Sequence, residues 1–397
     1  MDYSSYIYSD NQNTVIDISR IKKILERPYL KFYHKISLLN YDESVKSIIP
    51  NEDISLDGIS YTEEYQQGQR RNITLKLINI EGKYTPSINN IWMDSKFSYE
   101  IGIPYLNEII WFPKGIYVLG DINATKSVDG VFVTLQLKDK FSIFEDKIGT
   151  LDVAYEIPIN STIKDAIKGI LNTSTENGHV FDMQSFILDS SFESFKTQAT
   201  IRVDAAGTYG DVFKELATQM SAEYYYNEVG NLCFYPINET VDDSAKPIIW
   251  TYSTLDRDLH SLDLNYSNEN IVNYFKVIGD NIDNGIFSAV VKNDNPTSPI
   301  CIGRIGKRVS KITESNIWSN TVAEDLGKYY LRQSSCVNVQ FSCPVSFNPI
   351  LTVNNICEVE DNFFGLERDK LLINSISFTS GNGEMSLNLV NTKDLPF

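Results

Sequence analysis

The segment GIYVLGDINATKSVDGVFVTLQLKD (115–139) shows the fold class most clearly. Apolar and polar residues alternate along both of its halves, which is the spacing of half-buried β-strands. Asp129-Gly130 lies between the halves, and an Asp-Gly pair is a frequent two-residue hairpin turn. The segment therefore predicts a β-hairpin.

Further alternating runs precede this hairpin: YLKFYHKISLL (29–39), DISLDGISYTEEY (53–65), with the turn signal Asp57-Gly58, and RRNITLKLIN (70–79). Short strands with turn signals at this spacing predict a barrel or a sandwich over residues 29–152. Residues 1–28 are polar at the start and rich in Tyr and Asn. We interpret them as an extended N-terminal arm, a candidate for docking on a neighbouring chain.

Residues 153–248 change in character because helical spacing replaces alternation. Ser161-Thr162 can cap the amphipathic run IKDAIKGIL (163–171), and GTYG precedes a second such run, DVFKELATQMS (211–221). The run AEYYYNEVGNLCFYPI (222–237) then predicts a hairpin that turns around Glu228–Asn231. We expect an α+β domain here.

Residues 249–397 return to strand patterns. The runs 271–280 and 285–294 are predicted to pair around Asp283-Asn284-Gly285, and the last strands form a hairpin on Ser380–Glu384. A helical run at 319–333 predicts an inserted helix at about 315–335. This second β-domain is similar in style to the first, which hints at a duplicated barrel.

Composition and charge exclude several classes of protein. The chain has 35 Lys and Arg against 52 Asp and Glu, a net charge of −17, so sequence-specific nucleic-acid binding is not expected. The five cysteines match no zinc-ligand spacing and are interpreted as buried free thiols, which suits assembly in a reducing cytoplasm. The sequence has neither a signal peptide nor an apolar run of the roughly 20 residues that span a bilayer.

Candidate catalytic residues are scarce. His34, His179 and His260 are isolated in the sequence, and nucleophile-elbow and phosphate-loop motifs are missing. Neighbouring carboxylates such as Glu63-Glu64 are expected by chance among 52 acidic residues and are interpreted as surface charge. We therefore predict a non-enzymatic protein without a cofactor, a catalytic residue or a metal site.

The order of these segments resembles that of the baseplate hub proteins of tailed phages and contractile injection systems, and of the tail-associated hub proteins of long flexible tails. The resemblance covers about residues 30–397. The stretches that carry it are GISYTEEYQQGQRRNITLKLIN (58–79), WFPKGIYVLGDINATKSVDGVFVTLQLKDKFSIFED (111–146), IPINSTIKDAIKGIL (157–171), GTYGDVFKELATQMSAEYYYNEVGNLCFYPI (207–237) and NIVNYFKVIGD (270–280), followed by NPTSPICIGRIGKRVSKI and the helix at 319–333.

The resemblance implies a β-rich α+β fold with two hub-type β-barrel domains, at 29–152 and 249–397. The α+β domain (153–248) would lie between them, and the inserted helix within the second. It also implies a homotrimeric ring that acts as a symmetry adaptor between a hexameric tail tube and a trimeric spike or fibre. The implied partners are a tail tube or distal tail protein and a spike or tail fibre protein, with a tape measure protein as a further candidate. The expected location is the virion tail or baseplate, assembled in the host cytoplasm.

An alternative remains open at this point, namely a carbohydrate- or receptor-binding β-protein of a tail tip or cell surface. Trp92, Trp111 and Trp318 would then stack on sugars. For the hub, candidate interface residues are Arg70 and Arg71, which start a strand and need partners if buried, together with Asn316 and Trp318 in a loop.

Overall fold

A computed structural model describes residues 3–10, 18–27, 30–88, 90–174, 178–255, 258–269, 271–281, 285–314, 316–381 and 383–396. The chain is mostly β-sheet, with 45% strand and 21% helix. The elements up to residue 139 are β1 (Tyr8–Ser9), α1 (Ile18–Leu25), β2 (Tyr33–Leu39), β3 (Val45–Ile49), β4 (Ile54–Glu64), β5 (Arg71–Ile78), β6 (Lys96–Tyr105), β7 (Glu108–Ser127) and β8 (Gly130–Asp139).

The remaining elements fall into two groups. Those of the middle are α2 (Ser142–Glu145), β9 (Tyr155–Ile157), α3 (Ile163–Leu171), β10 (Ile187–Leu188), β11 (Ile201–Val203), α4 (Tyr209–Met220), β12 (Ala222–Tyr226), β13 (Leu232–Pro236) and α5 (Ile237–Thr240). Those of the last part are β14 (Ile248–Ser253), β15 (Asp263–Tyr266), β16 (Tyr274–Asn281), β17 (Gly285–Lys292), α6 (Ile302–Ile305), β18 (Val309–Glu314), α7 (Asn320–Asn338), β19 (Val339–Ser346), β20 (Ile356–Asp361), β21 (Leu366–Thr379) and β22 (Glu384–Asn391).

Strands from both ends of the chain form one large sheet. Its order is β15-β19-β22-β21-β4-β5-β8-β7-β6-β2-β3, and β1, β14 and β20 pair with it at its sides. Antiparallel pairing of β4 with β21, from Ser60 opposite Thr379 to Glu64 opposite Ser375, joins the early strands to the late ones. Tyr61 stacks on Phe378 across this contact, with ring centroids 4.8 Å apart. Early and late strands consequently share one hydrophobic core.

The sheet contains the same strand order twice. The first set is β4-β5-β8-β7-β6 and the second set is β15-β19-β22-β21-β20. Every neighbouring pair within both sets is antiparallel. In both sets the strands that lie side by side are the first, second, fifth, fourth and third of the set, counted along the chain. The two sets therefore have the same topology.

The α+β unit, formed by α2–α5 and β9–β13, has its own core. The predicted helices are present as α3 and α4, and the predicted hairpin is present as β12 and β13. Thr208 and Asp211 form a capping box that fixes the start of α4. Apolar side chains of both helices and of the hairpin, among them Ile167, Phe213 and Phe234, pack with Phe141 and Phe144.

A third layer comes from residues 274–338. β16 and β17 pair as predicted, but with β18 they form a separate three-stranded sheet and not part of the large one. The predicted turn residues Asp283 and Asn284 lie outside the described residues. Helix α7 starts at Asn320, where the Ser319 side chain caps it, and it covers one face of this sheet. Val277 and Ala323 are completely buried between sheet and helix.

Two local expectations differ from the structure. Residues 18–25 form helix α1 and not an extended arm, because Ile21 and Ile24, three residues apart, face the core of the same chain. The rest of the predicted arm falls partly outside the described residues.

Asp57-Gly58 is no hairpin turn, since both residues lie inside β4, where the pairing with β5 shifts register between Ile54 and Ile59. A bulge at this register shift accommodates the left-handed backbone of Asp57, which has a φ of 55°.

Over the part of the chain that the structure describes, no helix has the length and apolar content that crossing a bilayer requires.

Candidate functional site: a buried charged junction

Arg71 connects the first set to the α+β unit. It opens β5 directly opposite Glu63 of β4, and its side chain is 2% exposed. Its Nε donates to Glu63 Oε1 at 3.0 Å, while Nη2 donates to Glu228 Oε1 at 2.6 Å. Nη1 donates to the carbonyl oxygen of Tyr226 at 3.0 Å. The guanidinium thus holds the hairpin β12–β13 against the sheet.

Arg70, the preceding residue, makes a second connection. Its Nη2 donates to the buried carboxylate of Glu223 on β12, and its Nε donates to the carbonyl oxygen of Gln66 at 2.7 Å. The guanidinium carbon also lies 3.5 Å from the ring centroid of Tyr225. Because a charge without a partner is costly when buried, these contacts keep the loop before β5 and the hairpin in one arrangement.

Helix α7 reaches the same region through Arg332. This buried side chain forms a two-pronged ion pair with Asp243, at 2.7 and 2.9 Å, and donates to the carbonyl oxygen of Val241 at 3.0 Å. Lys246 donates to the same carboxylate at 3.0 Å and to Asn354 Oδ1 at 2.7 Å. Burial lowers the pKa of Lys246 to about 8, and the neighbouring Arg332 charge acts in the same direction.

A cavity of about 410 Å³ lies between these groups. The cavity is lined by residues of four parts of the chain. They are Glu63 and Arg71 of the first set, Glu223 of the hairpin, Lys246 of the loop after α5 and Asn354 of the loop before β20. Each of the acids Glu63, Glu223 and Glu228 has an arginine partner. Ion pairing therefore accounts for these charges, and the arrangement fixes the relative orientation of three units.

Asn316 and Trp318 lie at another contact between units. Trp318 Nε1 donates to the carbonyl oxygen of Gln219 on α4 at 2.8 Å, and Asn316 Oδ1 accepts from Gln219 Nε2 at 3.3 Å. Asn316 Nδ2 also donates to Glu215 of the same helix. The four residues predicted for interfaces thus all contact other units of their own chain. Their role between subunits stays a prediction.

Sequence reasoning did not find the acidic partners of Arg70, Arg71 and Arg332, and its interpretation of Glu63 as surface charge was wrong, because this side chain is 1% exposed and paired with Arg71. Glu223, Glu228 and Asp243 lie about 90 to 160 positions from their arginines along the chain, and no local pattern connects them. The one usable signal is the position of Arg70 and Arg71 at the head of an alternating strand, where Arg71 must share a face with buried Ile73 and Leu75.

Residues considered for other chemistry are scattered. His34 is hydrogen-bonded to the Tyr99 hydroxyl, His179 stacks on Tyr41, and His260 lies 3.0 Å from Glu384. All five cysteines are buried and free, as predicted. Within the described ranges, no group of three or more His, Cys, Asp or Glu residues is placed to hold a metal ion.

The tryptophans named for sugar stacking differ in their environment. Trp92 is 39% exposed, whereas Trp111 is 8% exposed and its Nε1 donates to Asp10 at 2.6 Å. Trp318 packs near Phe195, and its Nε1 is used within the chain. Of these three side chains only Trp92 is exposed, Trp318 is partly buried and Trp111 is buried.

Comparison with solved structures shows which proteins share this fold. A 43 kDa tail protein of prophage MuSo2 from Shewanella oneidensis aligns over 91% of this chain and 99% of its own, with a TM-score of 0.57 and 14% identity. A tail protein from Neisseria meningitidis aligns over the same shares, with a TM-score of 0.58 and 11% identity. Prophage tail protein gp18 from Listeria monocytogenes covers 90% of this chain and 95% of its own, with a TM-score of 0.51 and 12% identity.

Neither a protein-family model nor a curated protein matches the sequence. The likeness is therefore one of structure, and it extends over nearly the whole length of each of these three proteins. The chain has the fold of prophage tail proteins, as its resemblance to tail hub proteins implied.

Proposed function

We propose that this chain is a structural hub protein of a phage-like tail or baseplate and has no catalytic role. Three copies form a ring, each contributing two hub-type β-barrel domains built around the first and second sets. The ring adapts a hexameric tail tube to a trimeric spike or fibre. The division into residues 1–28, 29–152, 153–248 and 249–397 belongs to this proposal.

The observation that carries the proposal is the repeated strand order inside one continuous sheet. A ring of three chains can match six tube subunits only if each chain presents two similar units. The two sets supply such units, and the β4–β21 contact already places them side by side. The likeness to three tail proteins over nearly their full length supports a place in a tail.

The buried ion pairs support a mechanical role. They join the sheet to the hairpin of the α+β unit, and helix α7 to the loop after α5, so that these parts are held to one another at several points. The proposed neighbours are a tail tube or distal tail protein on one side and a spike or fibre protein on the other, with a tape measure protein as a further candidate. The proposed location is the virion tail or baseplate.

The mass of the native assembly tests this proposal. We expect the chain alone to form a particle with three times its 45.1 kDa mass, and its complex with tube and spike proteins to contain three copies of it. A chain that stays monomeric even with both partner proteins would overturn the proposal. Strong binding to a glycan array by such a monomer would instead favour the carbohydrate-binding alternative.

A further inference from the structure

We propose that β7 of one copy pairs with β15 of the next copy and repeats between chains the contact that β21 and β4 make within one chain. The pairing is antiparallel and joins Asp121–Thr125 of one copy to 263–267 of the other. This inference rests on the proposed ring and names the strands that close it. It follows from the equivalence of the two sets, residue by residue.

The two long hairpins fix the first half of that equivalence. In β7–β8, Leu119 lies opposite Leu137, the next residue Gly120 is unpaired, and Asp121 lies opposite Gln136. In β21–β22, Ile373 lies opposite Leu389, Asn374 is unpaired, and Ser375 lies opposite Asn388. Three regular pairs precede the extra residue in both hairpins. The two bulges therefore make Asp121 equivalent to Ser375.

The opposite edge of each set fixes the second half. Ser60 of β4 lies opposite Thr74, and Asp263 of β15 lies opposite Ser342. The backbone N–H of Glu64 donates to the carbonyl oxygen of Arg70 at 2.9 Å, and that of Ser267 donates to Asn338 at the same distance. Residues 60–64 are therefore equivalent to residues 263–267.

Transfer of the contact inside the chain gives the register between chains. Within the chain, residues 375 to 379 of β21 lie opposite residues 64 to 60 of β4, in that order. The expected pairs between two copies are accordingly Asp121 with Ser267, Ile122 with Tyr266, Asn123 with Asn265, Ala124 with Leu264 and Thr125 with Asp263.

Both strands have an open edge in the single chain. The pairing of β6 with β7 ends at Val118, and among the described residues no strand pairs with that side of β7 beyond it. β15 pairs with β19 alone in the same described part of the chain, and its Tyr266 is 54% exposed. An exposed strand edge with an apolar side chain favours pairing with another chain.

The side chains of the two edges suit each other. Alternation along the strands places Ile122 and Ala124 on one face with Tyr266 and Leu264, and the polar members on the other. The contact is head to tail, so it leaves one open β7 edge and one open β15 edge until a ring closes. Contacts within chains and between chains then alternate, and three chains give six similar positions.

Disulfide trapping tests the register. The double variant Asn123→Cys/Asn265→Cys of the full-length chain introduces two exposed cysteines, and the native ones are all buried. Residues opposite each other in antiparallel strands have Cα atoms about 4.5–5.5 Å apart, within disulfide range. We expect mild oxidation to give covalent dimers and trimers on a non-reducing gel. If the double variant fails to fold, an equal mixture of the two single variants tests the same contact by forming covalent dimers.

Two matched variants complete the test. Thr62→Cys/Ser377→Cys places the equivalent pair within one chain and should form a bond that leaves the chain monomeric on the gel. Lys46→Cys/Asn265→Cys uses the other open edge, β3, and should not crosslink. A native trimer without the 123–265 bond, or with an equally strong 46–265 bond, would overturn the pairing and leave the ring intact. If no assembly forms even with partner proteins, both proposals fail.

Discussion

The two strand sets have the same topology but different residues at equivalent positions. Arg71 lies opposite Glu63 in the first set, whereas Val339 lies opposite Tyr266 in the second. Asp139 lies opposite Tyr117 in the first set, and its equivalent in the second is Asn391. The first set thus buries charges where the second has neutral residues.

This difference shows that the strand order does not depend on the buried charges. They occur where the α+β unit packs on the first set, and this unit supplies Glu228 as a partner of Arg71 and Glu223 as the partner of the neighbouring Arg70. In the second set, helix α7 ends at Asn338 and runs directly into β19, so the chain itself makes the connection. Buried ion pairs in the first set therefore serve the attachment of another unit.

The largest effect is expected when this attachment is broken. Arg71→Met keeps most of the side-chain volume but leaves Glu63 and Glu228 buried without their cation. We expect the free energy of unfolding, measured in urea, to fall by about 3–5 kcal/mol. The triple variant Glu63→Gln/Arg71→Met/Glu228→Gln removes the unpaired charges and should recover a large part of that loss. A cost below about 1 kcal/mol for the single variant would contradict the proposed attachment.

A smaller effect is expected at Asp139, which is 2% exposed. Burial raises its pKa to about 6, so the folded state holds this proton more tightly than the unfolded chain does. The carboxyl therefore costs nothing near pH 3 and destabilises the fold increasingly as the pH rises through about 4 to 6.

Asp139→Asn places in the first set the same residue type that the second set has at the equivalent position, Asn391. It keeps the acceptor oxygen for the backbone N–H of Phe141. At pH 8 we expect the variant to have a free energy of unfolding, measured in urea, that is about 1–3 kcal/mol higher than that of the wild type. Near pH 3 the two proteins should be equally stable. A difference between the two proteins that does not change with pH would contradict burial as the cause.

Local patterns were sufficient for elements that neighbouring residues build. The hairpin at 115–139 is present as β7 and β8, and the helical run at 319–333 is present as α7, with Ser319 as its cap. Alternation and helical spacing depend only on nearby residues, which explains this success. Helix α1 was missed because it is only eight residues long and follows a polar start.

Contacts between distant segments could not be predicted in this way. The pairing of Tyr61 with Phe378 joins residues more than 300 positions apart, and alternation is equally satisfied by any partner strand. For the same reason β16 and β17 were assigned to a barrel, although they form a separate sheet under α7. The partners of Arg70 and Arg71 depend on how the α+β unit docks, which a strand pattern does not record.

The smallest effect on folding, and the most selective one on assembly, is expected at Ala124. Its equivalent in the second set is Phe378, which is 6% exposed and packs on Tyr61 inside the chain. Ala124 is exposed in the single chain, so Ala124→Glu should change the free energy of unfolding of the monomer by no more than about 0.5 kcal/mol. In the proposed ring, however, the carboxylate would lie beside Leu264 of the next copy. We expect sedimentation to show at least a tenfold weaker assembly, about 1.4 kcal/mol per contact.

Val128→Glu, at the exposed tip of the same hairpin and outside the proposed register, is the matched control and should assemble like the wild type. If both variants assembled normally, β7 would not be the strand that joins the copies, and the repeated topology would need another edge to close the ring.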